Sequence, residues 1–252
     1  MCGICGFQGQ GERQHLIAMT RALSHRGPDG EGFFEHPDDH IFLGHRRLAV
    51  LDPATGVQPM ANADGTLRVI FNGEIYNHKS LRRELETMGY RFRTHHSDTE
   101  VLVHGYHAWG KDLPQRLNGM FAFAVHDRRT RQVFIARDRF GKKPLYYVHR
   151  PGFFAFASEI RSLLQHPGVP DDLDADAIRG FFAHCFFPAP STPFRAIRKL
   201  PGGNCLVYDM NRPDLEIRPY WNFHVEPDPS LSHTAPRLLA EELLTLLGEA
   251  VD

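Results

Sequence analysis

A cysteine stands at the second position of the chain, in the segment Met1-Cys2-Gly3-Ile4-Cys5. A side chain as small as cysteine allows the initiator Met1 to be removed, which would leave Cys2 with a free α-amine beside its thiol. The reference pKa of such an amine is about 7.7–8.0, so it can accept a proton near neutral pH. The thiolate is the form of cysteine that attacks carbonyl carbons. We therefore expect Cys2 to be a nucleophile that carries its own base.

Further polar groups follow the ends of predicted strands, and strand ends in a layered sandwich converge at one rim. These groups are Arg47, Asn72, Gly73, Glu74 and Asp98. An arginine can hold a carboxylate bidentately, and two acidic side chains can hold an ammonium group. An asparagine amide and a backbone N–H can donate to an oxyanion. Gathered around Cys2, this set suits an amino acid with a side-chain amide as substrate.

Each of these residues also has a simpler interpretation when it is taken alone. Arg47 fits a surface ion pair, Asp98 fits a helix N-cap, and Asn72-Gly73 is the dipeptide typical of a tight hairpin turn. Composition and spacing do not decide between these interpretations and a shared site.

The other cysteines and the overall composition limit the function classes. Cys2 and Cys5 form a C-x-x-C pair, but Cys185 and Cys205 are too far apart to complete a zinc site, and the pair stands outside a thioredoxin-like context. We expect no metal, and Cys5 to be a small buried residue. The chain has 252 residues, 42% of them hydrophobic, and a formal net charge of -1, so no general affinity for nucleic acid or anionic membranes is expected. With no apolar run of about 18 residues and no targeting segment, a cytoplasmic protein is expected.

The predicted elements come in blocks of strands and helices and not in regular alternation, which indicates a layered α+β sandwich. Helices are predicted at 14–24, after Asn77, and from a capping box at Ser97–Glu100. Strands are predicted at 4–8, 31–34, 41–44, 48–51, 68–71, 120–126, 132–137, 144–149 and 153–158.

The chain changes character near residue 211. Several prolines interrupt a mostly polar stretch, which is typical of a linker, and an amphipathic leucine-rich segment follows at Arg237–Val251. One helix cannot bury its own apolar stripe. We therefore predict a first domain at 1–210, and a linker with the first helix of a second domain at 211–252.

A series of motifs occurs in a characteristic order along residues 1–159. They are Met1-Cys2-Gly3-Ile4-Cys5-Gly6, His25-Arg26-Gly27-Pro28-Asp29, Asn72-Gly73-Glu74-Ile75-Tyr76-Asn77, Ser97-Asp98-Thr99-Glu100, Gly119-Met120-Phe121-Ala122-Phe123-Ala124, Arg137-Asp138-Arg139-Phe140-Gly141 and Ala157-Ser158-Glu159. In this order they closely resemble the glutaminase half of glutamine-dependent asparagine synthetases, which are class II glutamine amidotransferases with an N-terminal nucleophile.

The resemblance implies a four-layer αββα sandwich of the N-terminal-nucleophile hydrolase type. By position it implies that Cys2 is the nucleophile and that Asn72 and Gly73 form the oxyanion hole. It also implies that Arg47 holds the substrate carboxylate and that Glu74 and Asp98 surround the substrate amine. The backbone from Leu48 to Leu51 would line the same site. Arg26 and Asn77 belong to motifs close to the site, without a definite role. The implied reaction is hydrolysis of glutamine to glutamate and ammonia through a thioester on Cys2, with no cofactor in this half.

The ammonia would serve ATP-dependent asparagine synthesis from aspartate. The family's synthetase domain opens with a Ser-Gly-Gly-Leu-Asp-Ser loop that binds ATP, and this chain does not contain that motif. ATP and Mg would belong to that domain, so the expected partners are glutamine and a synthetase domain in the same or a separate chain, with a homodimer as a further assembly. The alternatives are a family member with another acceptor, a non-catalytic glutamine-sensing module, and a hydrolase of another small amide.

Overall fold

The structure, a computed structural model, describes residues 1–49 and 56–251, which contain twelve strands and seven α-helices. The strands are β1 (Gly3–Gly9), β2 (Gly30–His36), β3 (Ile41–Arg47), β4 (Met60–Ala61), β5 (Leu67–Ile75), β6 (Gly119–Asp127), β7 (Gln132–Arg137), β8 (Tyr146–Arg150), β9 (Phe153–Ala157), β10 (Arg198–Lys199), β11 (Asn204–Asp209) and β12 (Asp214–Pro219). The helices are α1 (Arg13–Arg21), α2 (His78–Thr87), α3 (Asp98–Trp109), α4 (Leu113–Arg116), α5 (Ile160–Leu163), α6 (Ala175–His184) and α7 (Pro236–Val251).

The strands form two antiparallel sheets of six strands each. The first sheet has the order β10-β8-β9-β1-β3-β2, and the second has the order β12-β11-β7-β6-β5-β4. Helices α1 and α5 pack on the first sheet, whereas α3, with α2 against it, packs on the second. One apolar layer fills the space between the sheets, and a further apolar layer lies under the helices on each side. The expected four-layer αββα sandwich is therefore confirmed.

Central strands that are buried on both faces explain the continuous apolar runs in the sequence. In β6, Phe121 and Phe123 face α2 and α3, whereas Ala122 and Ala124 face the first sheet. In this part of β6 the large side chains thus belong to the layer under the helices, and the small ones belong to the layer between the sheets.

Strand β1 is one of the two central strands of the first sheet, and it determines the position of the amino terminus. It pairs with β3 on one side and β9 on the other. At its start, Ser158 Oγ accepts a hydrogen bond from the Ile4 amide at 3.0 Å, and the Ser158 amide donates to the Ile4 oxygen at 2.8 Å. Cys5 is fully buried beneath α1, as expected for a small core residue. Cys2 is thereby held at a fixed position at the end of a core strand.

The structure contradicts one alternative interpretation and one local prediction. Asn72-Gly73 is not a hairpin turn, because it lies inside β5, paired with Ala122 and Phe121 of β6. Ser97 is the N-cap residue of α3, but its side chain makes no capping hydrogen bond. The carboxylate of Glu100 accepts instead from the amides of Arg93 and Thr94, both at 2.8 Å, so it fixes the preceding loop.

The first unit of the chain runs to Trp221 and not to residue 210. Strand β12 lies in the stretch that the sequence assigns to a linker and pairs with β11 along its whole length. Because β12 is an edge strand, most of its side chains are exposed, and its polar composition resembles that of a linker. Helix α6, in contrast, was not predicted at all.

The second unit, Asn222–Asp252, contains a short 3₁₀ turn at Pro229–Leu231 and helix α7. Asp228 caps the turn by accepting from the Ser230 amide at 2.9 Å. The predicted amphipathic helix is present, and Leu238, Leu243 and Leu244 are exposed on it. Its assignment to the start of a further domain stays a prediction. None of the helices within the described ranges is long and apolar enough to cross a membrane.

Candidate active site

A cavity of about 160 Å³ opens where β1 and β3 of the first sheet end beside β5 of the second. Its lining includes Cys2, Arg47, Leu48, Asn72, Gly73, Glu74 and Asp98, which are the described residues of the predicted site. Leu51, the remaining one, lies outside the described residues. Sites for drug-sized ligands have volumes of about 300–1,000 Å³, so this cavity suits a small metabolite.

The main chain of Cys2 is held by the loop that follows α1. Arg26 Nε donates to the Cys2 carbonyl oxygen at 2.9 Å, and Arg26 Nη1 donates to Glu159 Oε1 at 2.9 Å. His25 Nε2 lies 2.9 Å from the same carboxylate oxygen. Burial alone would raise the pKa of Glu159, but the hydrogen bonds from Arg26 and His25 outweigh it and lower the pKa. Glu159 therefore stays ionised and orients Arg26 towards the nucleophile.

The thiol of Cys2 is surrounded by the backbone that follows β3. The Leu48 amide donates to Cys2 Sγ at 3.4 Å, and Sγ lies 3.7 Å from the Leu48 oxygen. Asp29 Oδ2 accepts from the Ala49 amide at 2.8 Å. The loop of Arg26 and Asp29 thus holds both the nucleophile and the amide group that contacts its sulfur.

Asn72 presents an unpaired amide to the cavity. Its side chain is fully buried, and neither Oδ1 nor Nδ2 has a hydrogen-bond partner among the described residues. A buried amide without a partner costs about 1–3 kcal/mol, so such groups are rare outside sites where a ligand completes them. Asn72 is therefore a donor available to a bound molecule.

Gly73 allows β5 and β6 to approach closely beside Asn72. A Cβ atom at residue 73 would lie 2.2 Å from the Met120 oxygen and 2.7 Å from the Phe121 Cα, both of them main-chain atoms. Any larger residue would push the strands apart, and would displace the amide of residue 73 from the cavity wall.

Two carboxyl groups form an acidic part of the wall. Asp98 is the first residue of α3 and is only 5% exposed, and its Oδ2 accepts from the Ile75 amide at 3.1 Å. Burial raises the pKa of Asp98 to about 6, and the charge of neighbouring Glu74 contributes to the shift. A cation bound beside Asp98 would favour the ionised form of this carboxyl group.

Arg47 supplies positive charge to the same cavity, and its neighbour Arg46 does not. Arg46 Nε donates to the Gly27 oxygen at 2.9 Å, and Arg46 Nη1 donates to Glu31 Oε2 at 2.8 Å. The main chain of Arg47 is fixed by the Asp29 amide, which donates to its oxygen at 3.0 Å. The structure thus separates two adjacent arginines into one outside the cavity and one that lines it.

Lys143 and Gln58 line the cavity but were missed in the sequence. Lys143 is 5% exposed, and burial together with the nearby charge of Arg26 lowers its pKa. Its Nζ lies 3.3 Å from Met1 Sδ. Gln58 Oε1 accepts from the Phe71 amide at 2.6 Å, and its Nε2 donates to Thr99 Oγ1 at 3.1 Å, which ties β5 to α3.

The motif around Arg137 explains the position of Lys143. Arg137 Nε donates to the Lys143 oxygen at 2.7 Å, and Asp138 Oδ2 accepts from the Lys143 amide at 2.9 Å. The motif is therefore a scaffold for the loop that brings this lysine to the wall. Asn77, the other motif residue without a predicted role, does not line the cavity and bridges the Arg116 oxygen and the Asn118 amide, each at 2.9 Å.

Comparison with known proteins places these features in a family context. A model of the glutamine amidotransferase domain matches residues 1–221. The chain is 40% identical over 236 residues to an asparagine synthetase [glutamine-hydrolyzing] of Bacillus subtilis, covering 90% of this chain and 37% of the relative. It is 33% identical to a putative asparagine synthetase [glutamine-hydrolyzing] of Methanocaldococcus jannaschii, covering 100% of this chain and 52% of the relative. The chain thus spans between about a third and a half of the length of these relatives.

Solved structures show the same fold. A glutamine phosphoribosylpyrophosphate amidotransferase from B. subtilis, in complex with ADP and GMP, superposes with a TM-score of 0.63 at 21% identity, covering 87% of this chain and 49% of that chain. A structure titled as the allosteric regulatory enzyme of purine biosynthesis gives a TM-score of 0.65 at the same identity and coverage. At this identity the likeness shows the fold alone.

Proposed function

The chain belongs to the class II glutamine amidotransferase family, and on that premise we propose that its first unit hydrolyses the side-chain amide of glutamine to glutamate and ammonia through a thioester on Cys2. The observation that carries the proposal is the meeting of the Cys2 thiol and the unpaired amide of Asn72 in one cavity. A nucleophile and an oxyanion donor are the two parts that acyl transfer requires.

The charged groups of the wall select an amino acid. The Arg47 guanidinium holds the α-carboxylate of glutamine, and the carboxylates of Glu74 and Asp98 hold its α-ammonium group. Binding of both ends directs the side-chain amide towards Cys2. With Met1 still part of its wall, the cavity has a volume of about 160 Å³.

The first half of the reaction forms the thioester. The α-amine of mature Cys2 takes the thiol proton, and the sulfur attacks the side-chain carbonyl carbon of glutamine. The oxyanion that forms accepts hydrogen bonds from Asn72 Nδ2 and from the Gly73 amide. The amine then gives its proton to the leaving nitrogen, the carbon–nitrogen bond breaks, and ammonia departs.

The second half releases glutamate. Water attacks the thioester carbonyl while the Cys2 amine takes its proton, and the same two donors hold the second oxyanion. Collapse of this intermediate breaks the carbon–sulfur bond, and the sulfur recovers its proton from the amine. Protein groups supply every step, so we propose that this half uses no cofactor.

Removal of Met1 is part of the proposal. With Met1 in place, the nitrogen of Cys2 belongs to a peptide bond and is not a base. Met1 also forms part of the cavity wall, where its sulfur contacts Lys143. Cleavage therefore supplies the base and removes the contact that Met1 makes with the Lys143 side chain.

The use of the ammonia is a further proposal that rests on the named relatives. We propose that the whole protein passes ammonia to aspartate that ATP has activated in a synthetase domain, with Mg as its metal. A homodimer is the assembly that we propose for it. We also propose a cytoplasmic location, because all four cysteines are free thiols, as is usual in reducing compartments.

Covalent labelling tests the glutaminase proposal. The protein is treated with a glutamine analogue that carries an electrophile on its side chain, and ammonia release from glutamine is measured in parallel. We expect one label per chain, on Cys2, and loss of activity in proportion to labelling. Cys5 is the internal control, because burial raises its pKa to about 11. Labelling of other residues, or ammonia release that survives full labelling of Cys2, would overturn the proposal.

A further inference from the structure

A second polar cluster lies at the opposite end of the sandwich from Cys2. His36 is the last residue of β2, Asp39 lies in the 3₁₀ turn Pro37–Asp39 that follows it, and His126 lies near the end of β6. His36 pairs with Ile41 of β3, whereas Arg47 at the active site is six residues further along the same strand. At about 3.4 Å per residue, the cluster is about 20 Å from the nucleophile.

The three side chains converge on one carboxylate oxygen. Asp39 Oδ2 lies 2.9 Å from His126 Nε2 and 3.3 Å from His36 Nδ1, and all three atoms lie within 4.8 Å of one another. Zinc binds nitrogen and oxygen ligands at about 2.0–2.2 Å in a tetrahedron, which places neighbouring ligand atoms about 3.3–3.6 Å apart. The cluster therefore needs only small side-chain adjustments to enclose such an ion.

The histidine nitrogens of the cluster are suited to be ligands. His126 is fully buried, and His36 Nδ1 is a buried atom that has no hydrogen-bond partner within the described part of the chain.

The charged groups around the cluster orient the Asp39 carboxylate, and they also lower the affinity of the cluster for a cation. Arg131 Nε lies 3.2 Å from Asp39 Oδ1, so it would orient the carboxylate and leave Oδ2 for an ion. The Arg68 guanidinium stacks on Phe34, and Arg128 acts on His126 by its charge. These positive groups weaken the binding of any cation, so the affinity will be lower than that of a cysteine-rich zinc site.

We propose that His36, Asp39 and His126 form a binding site for one divalent transition ion of the zinc class, with water as the fourth ligand. The site connects the edge strand β2 of the first sheet, and the turn that follows it, to the central strand β6 of the second sheet. Its role is structural, because no group of the catalytic cavity belongs to it. An ion there would resist separation of the two sheets at the end remote from Cys2.

Titration of the whole chain with Zn²⁺ tests the site. The protein carries no histidine tag, its accessible thiols are alkylated so that Cys2 cannot bind the ion, and a chelator removes bound metals first. We expect one Zn²⁺ per chain with a Kd below about 10 µM. We also expect Tm to rise by on the order of 5–10 °C at a hundredfold excess of free ion over Kd. A titration without a single-site isotherm would overturn the proposal.

Variants locate the ion. Asp39→Asn and His36→Gln should each lower the affinity for Zn²⁺ at least about 100-fold. Loss of a residue that only hydrogen-bonds a metal ligand already lowers metal affinity by about 10- to 100-fold. His184→Gln, at an exposed histidine at the end of α6, is the matched control and should bind as the parent does. Circular dichroism checks that each variant is folded. Binding that persists in both cluster variants, or that is lost in the control, would show that the ion sits elsewhere and would overturn the assignment.

Discussion

The Nε atom of Arg26 donates to the carbonyl oxygen of Cys2 at 2.9 Å, and Glu159 holds the same guanidinium from its other side. The nucleophile is therefore fixed through its own main chain by a residue that does not touch its sulfur. A substitution at Arg26 should therefore lower the rate while the thiol of Cys2 stays in place.

Arg26→Ala should lower kcat by about 10- to 100-fold, because a displacement of the nucleophile by about 1 Å is enough for such a loss. Glu159→Gln should give a smaller loss, since Arg26 keeps its hydrogen bond to Cys2. Steady-state glutaminase assays measure both. Arg13→Ala, which removes an exposed ion pair with Glu35 and a contact of the guanidinium with the Phe33 ring, is the control and should retain the parent rate. Equal rates for Arg26→Ala and the parent would contradict the positioning role.

The active protein should lack Met1. A form with an uncleaved amino-terminal extension should release no ammonia above background, because the Cys2 nitrogen remains in a peptide bond and is not a base. Intact-mass spectrometry gives the processing state, and an assay of the same sample gives the activity. A tag of the same length at the carboxyl terminus is the control. Full turnover by the extended form would rule out the amine as base.

Cys2→Ala should reduce hydrolysis to background, because no thioester can form, and Cys2→Ser should come close to background. Glutamine binding should survive in Cys2→Ala, since Arg47, Glu74 and Asp98 are unchanged. Isothermal titration with glutamine measures binding, and ammonia release measures turnover. Cys185→Ala, at an exposed thiol, is the control. Ammonia release by Cys2→Ala at the parent rate would exclude Cys2 as the nucleophile.

Asn72 and Arg47 should separate catalysis from binding. Asn72→Ala should lower kcat by about 100- to 1000-fold with little change in KM, because its donor meets an oxyanion that exists only during the reaction. Arg47→Ala and Asp98→Asn should mainly raise KM and lower kcat/KM by roughly 30- to 1000-fold, since they hold groups that change little during the reaction. Steady-state kinetics on the three variants distinguish the roles, and an inverted pattern would refute them.

Glutamine binding should weaken below pH 6 through Asp98. The pKa of Asp98 in the folded protein is raised to about 6. Between about pH 4 and pH 6 the folded protein therefore retains a proton that the unfolded chain has released. The contribution of this carboxyl group to the free energy of unfolding falls as pH rises through that window. Binding has the opposite trend, because only the ionised form holds an ammonium group. Titration of Cys2→Ala should show about a tenfold weaker affinity at pH 5 than at pH 7. In the double variant with Asp98→Asn, the affinity should be weak at both pH values.

The sequence predicted the layers of the fold because they depend on short patterns, whereas the roles of the site residues stay predictions. Apolar runs identify strands buried on both faces. Arg47 lies at the end of β3, as expected, whereas Asn72, which was expected to follow a strand, lies inside β5. Lys143 and Gln58 were missed for a physical reason. Their positions depend on hydrogen bonds with residues such as Arg137 and Thr99, and no local spacing encodes these contacts.

Errors at the margins of the fold have a similar origin. An edge strand such as β12 buries few side chains, so its composition resembles that of a linker. Asn72-Gly73 has the chemistry of a turn but lies in a strand, because pairing with β6 supplies its backbone partners. In both cases neighbours distant in sequence outweigh the local preference.

The reacting groups are divided between the two sheets, with Cys2 and Arg47 on the first and Asn72 and Gly73 on the second. The separation of nucleophile and oxyanion donor is therefore set by the thickness of the apolar layer between the sheets, where Ala122 and Ala124 are small. Substitutions in that layer change turnover as well as folding. Selection on the rate of the reaction therefore also acts on the buried side chains between the sheets, which do not contact the substrate.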